Sequence, residues 1–94
     1  FLIGPTGFSG LLSSEGDVSM ARAAALAGIP FVLSNVSTTS PEEVVRRAGA
    51  DARVWMQVYM YRTREFVEKI ARRAQDAGIG TLVLTTDSAI YGKR

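Results

Sequence analysis

Four apolar stretches of this 94-residue chain run into polar or turn-forming residues. The residues at those points are Pro5, Thr6, Gly7, Ser34, Gln57, Tyr59, Thr85 and Asp87. They offer backbone amides, hydroxyls, a carboxamide, a phenol and a carboxylate. This hydrogen-bonding set suits the edge of a heterocycle, whereas a metal ion would require several carboxylates or imidazoles. We therefore expect a binding site for a flat heterocyclic group and no metal site.

Each of these residues also has a simpler structural explanation. A Ser or Thr at a strand end often caps the next helix, and Tyr59 could be a core aromatic with its hydroxyl at the rim. The spacing G-x-x-G-x-x-G that begins at Gly4 fits a plain turn and is not the dinucleotide fingerprint. Polar groups at four successive strand ends nevertheless favour a site over four unrelated structural roles.

Strands and helices are predicted to alternate along the chain. Each helix has a start signal and a glycine stop, and each strand is short and apolar. The predicted strands cover 1–3, 31–33, 53–61 and 81–84, and the last of them is expected to be fully buried. The predicted helix caps are Asp17, Ser40 and Thr63. Pro41 takes the first position of the second helix, and Glu43 is placed to complete a capping box with Ser40. The predicted stops are Gly28, Gly49 and Gly78.

This alternation predicts parallel strands joined by right-handed crossovers. Four strands and three helices make half of a (β/α)8 barrel, or alternatively an open doubly wound sheet. Both folds bind ligands at the carboxyl ends of the strands. Residues 1–94 form a single segment, shorter than the roughly 200 residues of a complete barrel. We therefore expect the chain to be part of a longer protein, either the first half of a TIM barrel or part of an open doubly wound sheet.

The composition excludes several classes of function. The chain has no cysteine and no histidine, so a thiol nucleophile is excluded and any histidine base must lie outside these residues. The net charge of +2 is spread along the chain, and the pairs Arg46/Arg47 and Arg72/Arg73 fit solvated helix faces. This pattern argues against nucleic-acid binding. No apolar run approaches the ~18 residues of a membrane span, so we expect the chain to be soluble. We expect its localisation to be cytoplasmic.

Four linked motifs resemble one known family. They are Gly4-Pro5-Thr6-Gly7, Leu33-Ser34, Gln57-Val58-Tyr59, and Leu84-Thr85-Thr86-Asp87 followed by Gly92-Lys93-Arg94. In this order they resemble the first half of the FMN-dependent L-2-hydroxy acid dehydrogenases and oxidases, and most closely the bacterial mandelate dehydrogenase type. The resemblance covers essentially the whole chain.

The resemblance implies FMN as the cofactor and assigns residues to it. The backbone of Pro5, Thr6 and Gly7 would lie along the flavin near its reactive nitrogen. The polar edge of the ring would be held by Ser34, Gln57 and Thr85.

It also implies three catalytic residues. Tyr59 would contact the carboxylate or hydroxyl region of the substrate, and Arg94 would add positive charge near substrate and transition state. Asp87 would pair with the family's catalytic histidine and favour its protonated form, as a neighbouring carboxylate does. That histidine is absent here, so the segment alone is expected to be inactive.

The implied reaction is the oxidation of a mandelate- or lactate-like L-2-hydroxy acid to the 2-keto acid. Gly7 favours a dehydrogenase over an oxidase, and Val36 leaves room for a bulky substrate. The electron acceptor could be a quinone, a cytochrome or oxygen. We expect a homo-oligomer, with peripheral association at the inner membrane face through a segment outside this chain.

Two alternatives stay open. An unclosed half-barrel leaves strand edges unpaired, so the chain could be a non-catalytic fragment that folds by self-association or with a complementary half. A different flavin barrel, such as a dihydroorotate dehydrogenase-like enzyme, explains the fold but accounts less well for the Gln57 and Asp87 motifs.

Overall fold

The computed structural model describes residues 1–7, 15–59 and 63–86. Within these ranges three helices alternate with three strands, which confirms the predicted alternation. The elements are α1 (Gly16–Ala27), β1 (Phe31–Leu33), α2 (Pro41–Ala48), β2 (Val54–Tyr59), α3 (Arg64–Asp76) and β3 (Leu82–Thr85).

Side-chain caps start α2 and α3. The Ser40 hydroxyl accepts a hydrogen bond from the Glu43 N–H at 3.3 Å, and Pro41 occupies the first helical position. Thr63 accepts from the Phe66 N–H at the same distance. Both predicted caps are confirmed because each hydroxyl satisfies an N–H that has no partner within its helix. The Glu43 carboxylate pairs with Arg46 at 2.7 Å rather than closing the capping box.

The start of α1 differs from the prediction. The cap position is Glu15, which makes no side-chain cap hydrogen bond, and the helix begins at Gly16. Asp17 is therefore not the cap: it lies in the first turn, and its carboxylate accepts a hydrogen bond from Ser37 in the loop after β1. The predicted stop is confirmed, because Gly28 adopts a left-handed conformation with φ 71°.

The three strands form a parallel sheet in the order β1-β2-β3. The predicted first strand is present as a single bridge between Ile3 and Phe31. The Ile3 N–H donates to the Pro30 carbonyl and the Val32 N–H donates to the Ile3 carbonyl, both at 2.9 Å. Pro5 occupies the next donating position of this parallel ladder and has no N–H, so the pairing stops there.

One side of the sheet faces the helices and carries the core. Alternate residues of β1 and β2 point to this side and pack against side chains of all three helices. The cluster consists of Val18, Ala21, Ala24, Phe31, Leu33, Val44, Val54, Met56, Val58, Ala74 and Ile79. The sheet therefore presents its other side, and the carboxyl ends of its strands, to a site.

The prediction of a fully buried last strand is wrong. Leu82 is 39% exposed and Leu84 is 54% exposed. Their register places them beside Met56 and Val58, on the helix-facing side. Within the described residues β3 is an edge strand that no following helix covers, so these apolar side chains remain in contact with solvent.

An ion pair links α2 to α3 and predicts a pH effect. Arg73 donates to Glu42 at 2.7 Å and 3.0 Å, and these hydrogen bonds hold the pKa of Glu42 below its usual 4.5. Because the folded-state pKa is lowered, the stabilisation is present above about pH 4.5 and is lost as the pH falls through the folded value. We expect Arg73→Gln to lower the free energy of unfolding near neutral pH by under about 1 kcal/mol, since both side chains are half exposed.

Urea unfolding of the wild type and the variant between about pH 3 and pH 7 measures this difference, which should shrink at the acid end. Arg72→Gln removes a charge one residue earlier in the same helix and serves as the matched control. The prediction is contradicted if both variants show the same pH-dependent difference from the wild type.

Candidate functional site

Four of the polar residues predicted at the strand ends lie in a row on the side of the sheet opposite the core: Ser34, Gln57, Tyr59 and Thr85. Leu33 pairs with Met56, so the register extended by one residue sets Ser34 beside Gln57. Tyr59 pairs with Thr85 on the neighbouring strand. Because residues two apart share a face, Ser34, Gln57 and Thr85 all point away from the helices.

Gln57 and Thr85 are in direct contact. The Gln57 Nε2 donates a hydrogen bond to the Thr85 Oγ1 at 2.7 Å. Gln57 is only 2% exposed, and its Oε1 is buried with no hydrogen-bond partner among the described residues. Buried acceptors are normally satisfied, and an unpartnered one costs about 1–3 kcal/mol. This oxygen therefore fits a donor supplied by a bound molecule.

Ser34 is also buried and has a structural role. Its Oγ accepts the Val36 N–H at 3.2 Å, and its carbonyl accepts the Ser37 N–H at 3.1 Å. The hydroxyl thus shapes the turn after β1 and does not cap the next helix, whose cap is Ser40. A serine that accepts one hydrogen bond still carries its own proton, so it can also donate to a ligand.

The segment Pro5, Thr6 and Gly7 is exposed, and Gly7 lies against the loop after β1. A Cβ on Gly7 would lie 2.9 Å from Cγ2 of Val36. That separation is shorter than normal van der Waals contact. Gly7 thus allows the Val36 side chain to rest directly on this backbone.

This contact makes Gly7→Ala a test of the packing. The added methyl group should displace Val36 and lower the free energy of unfolding by about 1–2 kcal/mol, as overpacking does. Combining it with Val36→Ala should remove that penalty, leaving the double variant within about 0.5 kcal/mol of Val36→Ala alone. Chemical denaturation of the four proteins measures the coupling.

The control for that test is Gly4→Ala, because no atom of residues 1–7, 15–59 and 63–86 lies within 4 Å of a Cβ at Gly4. Equal stabilities of Gly7→Ala and Gly4→Ala would show that Val36 does not restrict position 7.

Of the three predicted catalytic residues, Tyr59 lies in the described part of the chain and the other two do not. Tyr59 is half-buried at the carboxyl end of β2, beside Thr85. Asp87 and Arg94 lie outside the described residues. In the part of the chain that is described, no group of three or more His, Cys, Asp or Glu side chains could hold a metal ion.

Two features of the loop after β1 were missed from the sequence. The Asn35 Oδ1 is buried and has no hydrogen-bond partner in the described part of the chain, and Asn35 lines a cavity of about 210 Å³ between this loop and α3. The sequence predicts Asp17 as a cap, whereas in the structure it contacts Ser37 across 20 residues. An Asn in a loop is typical of a turn, so only the fold reveals the buried oxygen.

Parallel strands with helices on one side and a polar row at their carboxyl ends define an α/β barrel segment. The chain matches the amino-terminal part of TIM barrels of known structure. All of residues 1–94 match the family model described as FMN-dependent dehydrogenase. The chain belongs to this family.

Its relatives are considerably longer. The chain is 47% identical to (S)-mandelate dehydrogenase of Pseudomonas putida, an alignment that covers 99% of the chain and 23% of that protein. It is 42% identical to an L-lactate dehydrogenase of Caulobacter sp. strain K31, covering 98% of the chain and 24% of that protein. A crystal structure of the monotopic membrane protein (S)-mandelate dehydrogenase superposes with a TM-score of 0.87 at 47% identity, covering 97% of the chain and 24% of that structure. The chain thus spans about a quarter of the length of these relatives.

Proposed function

We propose that this chain is the amino-terminal part of an FMN-dependent dehydrogenase that oxidises a mandelate- or lactate-like L-2-hydroxy acid to the 2-keto acid. The observation that carries the proposal is the buried Oε1 of Gln57, which has no hydrogen-bond partner among the residues that the structure describes. It lies in a row of hydrogen-bonding side chains where a parallel α/β fold binds its ligand. Family membership and the names of the relatives support both the flavin and the substrate class.

The residues present fit a flavin. The carboxamide of Gln57 and the hydroxyls of Ser34 and Thr85 would meet the polar edge of the ring. The exposed backbone of Pro5, Thr6 and Gly7 would lie along the ring. FMN, when bound, supplies the acceptor for the two electrons that leave the hydroxy acid.

The chain's own catalytic contribution is substrate binding and charge. Tyr59, at the carboxyl end of β2, would bind the substrate's carboxylate or hydroxyl group. Arg94 would add positive charge near that carboxylate. Asp87 would pair with a histidine base and stabilise its protonated form. The chain contains no histidine, so the base belongs to another part of the working protein.

The proposal extends to partners and location. The protein would form a homo-oligomer in the cytoplasm, associate peripherally with the inner membrane face, and pass electrons to a quinone, a cytochrome or oxygen. One relative is a monotopic membrane protein. Among the described helices of this chain, none has the length and apolar character needed to cross a membrane.

The test uses the product of the complete reading frame. We expect an intact mass well above 10.1 kDa and a yellow protein whose flavin absorbance bleaches when L-lactate or (S)-mandelate is added without oxygen. The D-lactate and (R)-mandelate enantiomers are the controls and should leave the colour unchanged.

A folded, colourless product that takes up no added FMN would contradict the proposal. A product of 10.1 kDa that self-associates or requires a complementary half would instead support the half-barrel fragment.

A further inference from the structure

Asp17 is a buried carboxylate that the proposed function does not use. It is 2% exposed in the first turn of α1. A buried charge is costly unless it is hydrogen-bonded. Here the Ser37 Oγ donates a hydrogen bond to the Asp17 Oδ2, and the amino-terminal end of a helix favours a negative charge. The carboxylate is therefore held by its own helix and by one side chain of the loop after β1.

Ser37 connects Asp17 to the whole loop from Ser34 to Thr39. Its Oγ also accepts the Thr39 N–H at 3.0 Å, and its backbone N–H donates to the Ser34 carbonyl at 3.1 Å. The Ser34 Oγ in turn accepts the Val36 N–H. One carboxylate thus anchors a continuous set of hydrogen bonds through the Ser34–Thr39 loop.

Two parts of this loop lie at the proposed flavin site. Ser34 lies next to Gln57 in the polar row, and Val36 rests on the backbone of Gly7. The loop is composed mostly of small polar residues, so few apolar contacts are available to fix its conformation. Its order depends on the hydrogen bonds that begin at Asp17.

We propose that Asp17 is a positioning residue for the flavin site: through Ser37 it holds the Ser34–Thr39 loop so that Ser34 and Val36 occupy their places beside the ring. The inference rests on the proposed function. Asp17 itself touches neither flavin nor substrate in this arrangement.

The first arm of the test measures the loop without reference to flavin. Hydrogen exchange in the complete, FMN-free protein is followed at the amides of Val36, Ser37 and Thr39. Asp17→Ala and Ser37→Ala should each speed this exchange about tenfold, and the double variant should be no faster than either single one. Asp17→Asn keeps a side-chain oxygen that can accept from Ser37, so its exchange should stay close to wild type.

The second arm measures FMN affinity by quenching of flavin fluorescence. Asp17→Ala and Ser37→Ala should weaken binding about five- to tenfold, with no further loss in the double variant. Asp17→Asn should bind within about twofold of wild type.

Two control variants separate positioning from general effects. Glu65→Gln removes an exposed acidic residue from the first turn of α3, and Val54→Ala opens a cavity at the amino end of β2. Val54→Ala should lower the denaturation midpoint while leaving FMN affinity unchanged, and Glu65→Gln should change neither loop exchange nor affinity.

The outcomes are distinguishable. A wild type that binds no FMN overturns the proposed function, and with it the positioning of flavin. Wild-type exchange rates in both Asp17→Ala and Ser37→Ala overturn the anchoring of the loop. Faster exchange with unchanged FMN affinity, or an equal loss of affinity in Val54→Ala, reduces Asp17 to a purely structural role and overturns the inference.

Discussion

Replacing Gln57 with leucine should weaken FMN binding about 10- to 100-fold while leaving the flavin-free protein as stable as the wild type or more stable. Two changes act in opposite directions on the folded protein. Leucine removes the hydrogen bond to Thr85 Oγ1, and it also removes the buried Oε1 that has no partner among the described residues. Because an unsatisfied buried acceptor is more costly than one good hydrogen bond is stabilising, the balance favours leucine when no ligand is bound.

The balance reverses when the site is filled. A donor at the edge of the ring would form a hydrogen bond with the Gln57 Oε1. In the leucine variant that donor would have no hydrogen-bond partner at position 57. Denaturant midpoints of the FMN-free proteins and fluorescence titration with FMN measure the two effects separately. The opposite signs exclude simple misfolding as the reason for lost binding.

The matched control is Gln75→Leu, because Gln75 is an exposed residue of α3. The same chemical change there should leave affinity unchanged and shift stability by less than about 0.5 kcal/mol. A large fall in the stability of FMN-free Gln57→Leu with unchanged affinity would show that Gln57 supports the sheet rather than a ligand.

The helix starts and stops that depend on nearby residues could be predicted from the sequence. Ser40 and Thr63 cap their helices through the N–H three residues later, and Gly28 ends α1. These interactions lie within one turn of helix, where residue types and spacing decide the outcome. Aspartate is a common cap residue, yet the hydrogen-bond partner of Asp17 is Ser37, 20 residues away. Local pattern cannot choose between a neighbouring N–H and a distant hydroxyl.

The burial of β3 could not be predicted for the same reason. Leu82 and Leu84 have the composition of a buried strand, but their exposure depends on what covers the sheet beyond β3. The apolar residues of a strand indicate that it can be buried, but they do not identify the element that covers it.

The candidate site was predictable in its placement and not in its contacts. Period-two alternation and parallel topology place Ser34, Gln57 and Thr85 on one face at one edge. The hydrogen bond between Gln57 and Thr85 depends on strand register, which the sequence leaves open. The proposed roles of these residues derive from the family resemblance, and they remain predictions until variants are measured.

Phe31→Ala should destabilise the protein more than truncation of any other fully buried side chain that the structure describes, because Phe31 is the largest of them. It is 1% exposed at the start of β1 and belongs to the core between sheet and helices. Its backbone N–H donates to the Arg53 carbonyl at 2.9 Å, a bond that alanine keeps. The loss in Phe31→Ala is therefore that of the side chain and the cavity it leaves, about 3–5 kcal/mol. This loss is a large part of the free energy of unfolding, which is about 5–15 kcal/mol for a typical protein.

Urea unfolding of the complete protein measures this loss, with Leu26→Ala as the control. Leu26 is 92% exposed on α1, so its truncation should change stability by less than about 0.5 kcal/mol.

Because β1 leads directly into Ser34, Phe31→Ala also tests how the core supports the site. If Phe31→Ala weakens only folding and the folded site stays intact, FMN at about 100 times its dissociation constant should raise the free energy of unfolding by about 2.7 kcal/mol. The same increase is expected for the wild type. A smaller increase in the variant would show that the Phe31 side chain shapes the site itself. A loss of stability in Phe31→Ala no larger than that in Leu26→Ala would contradict the place of Phe31 in the core.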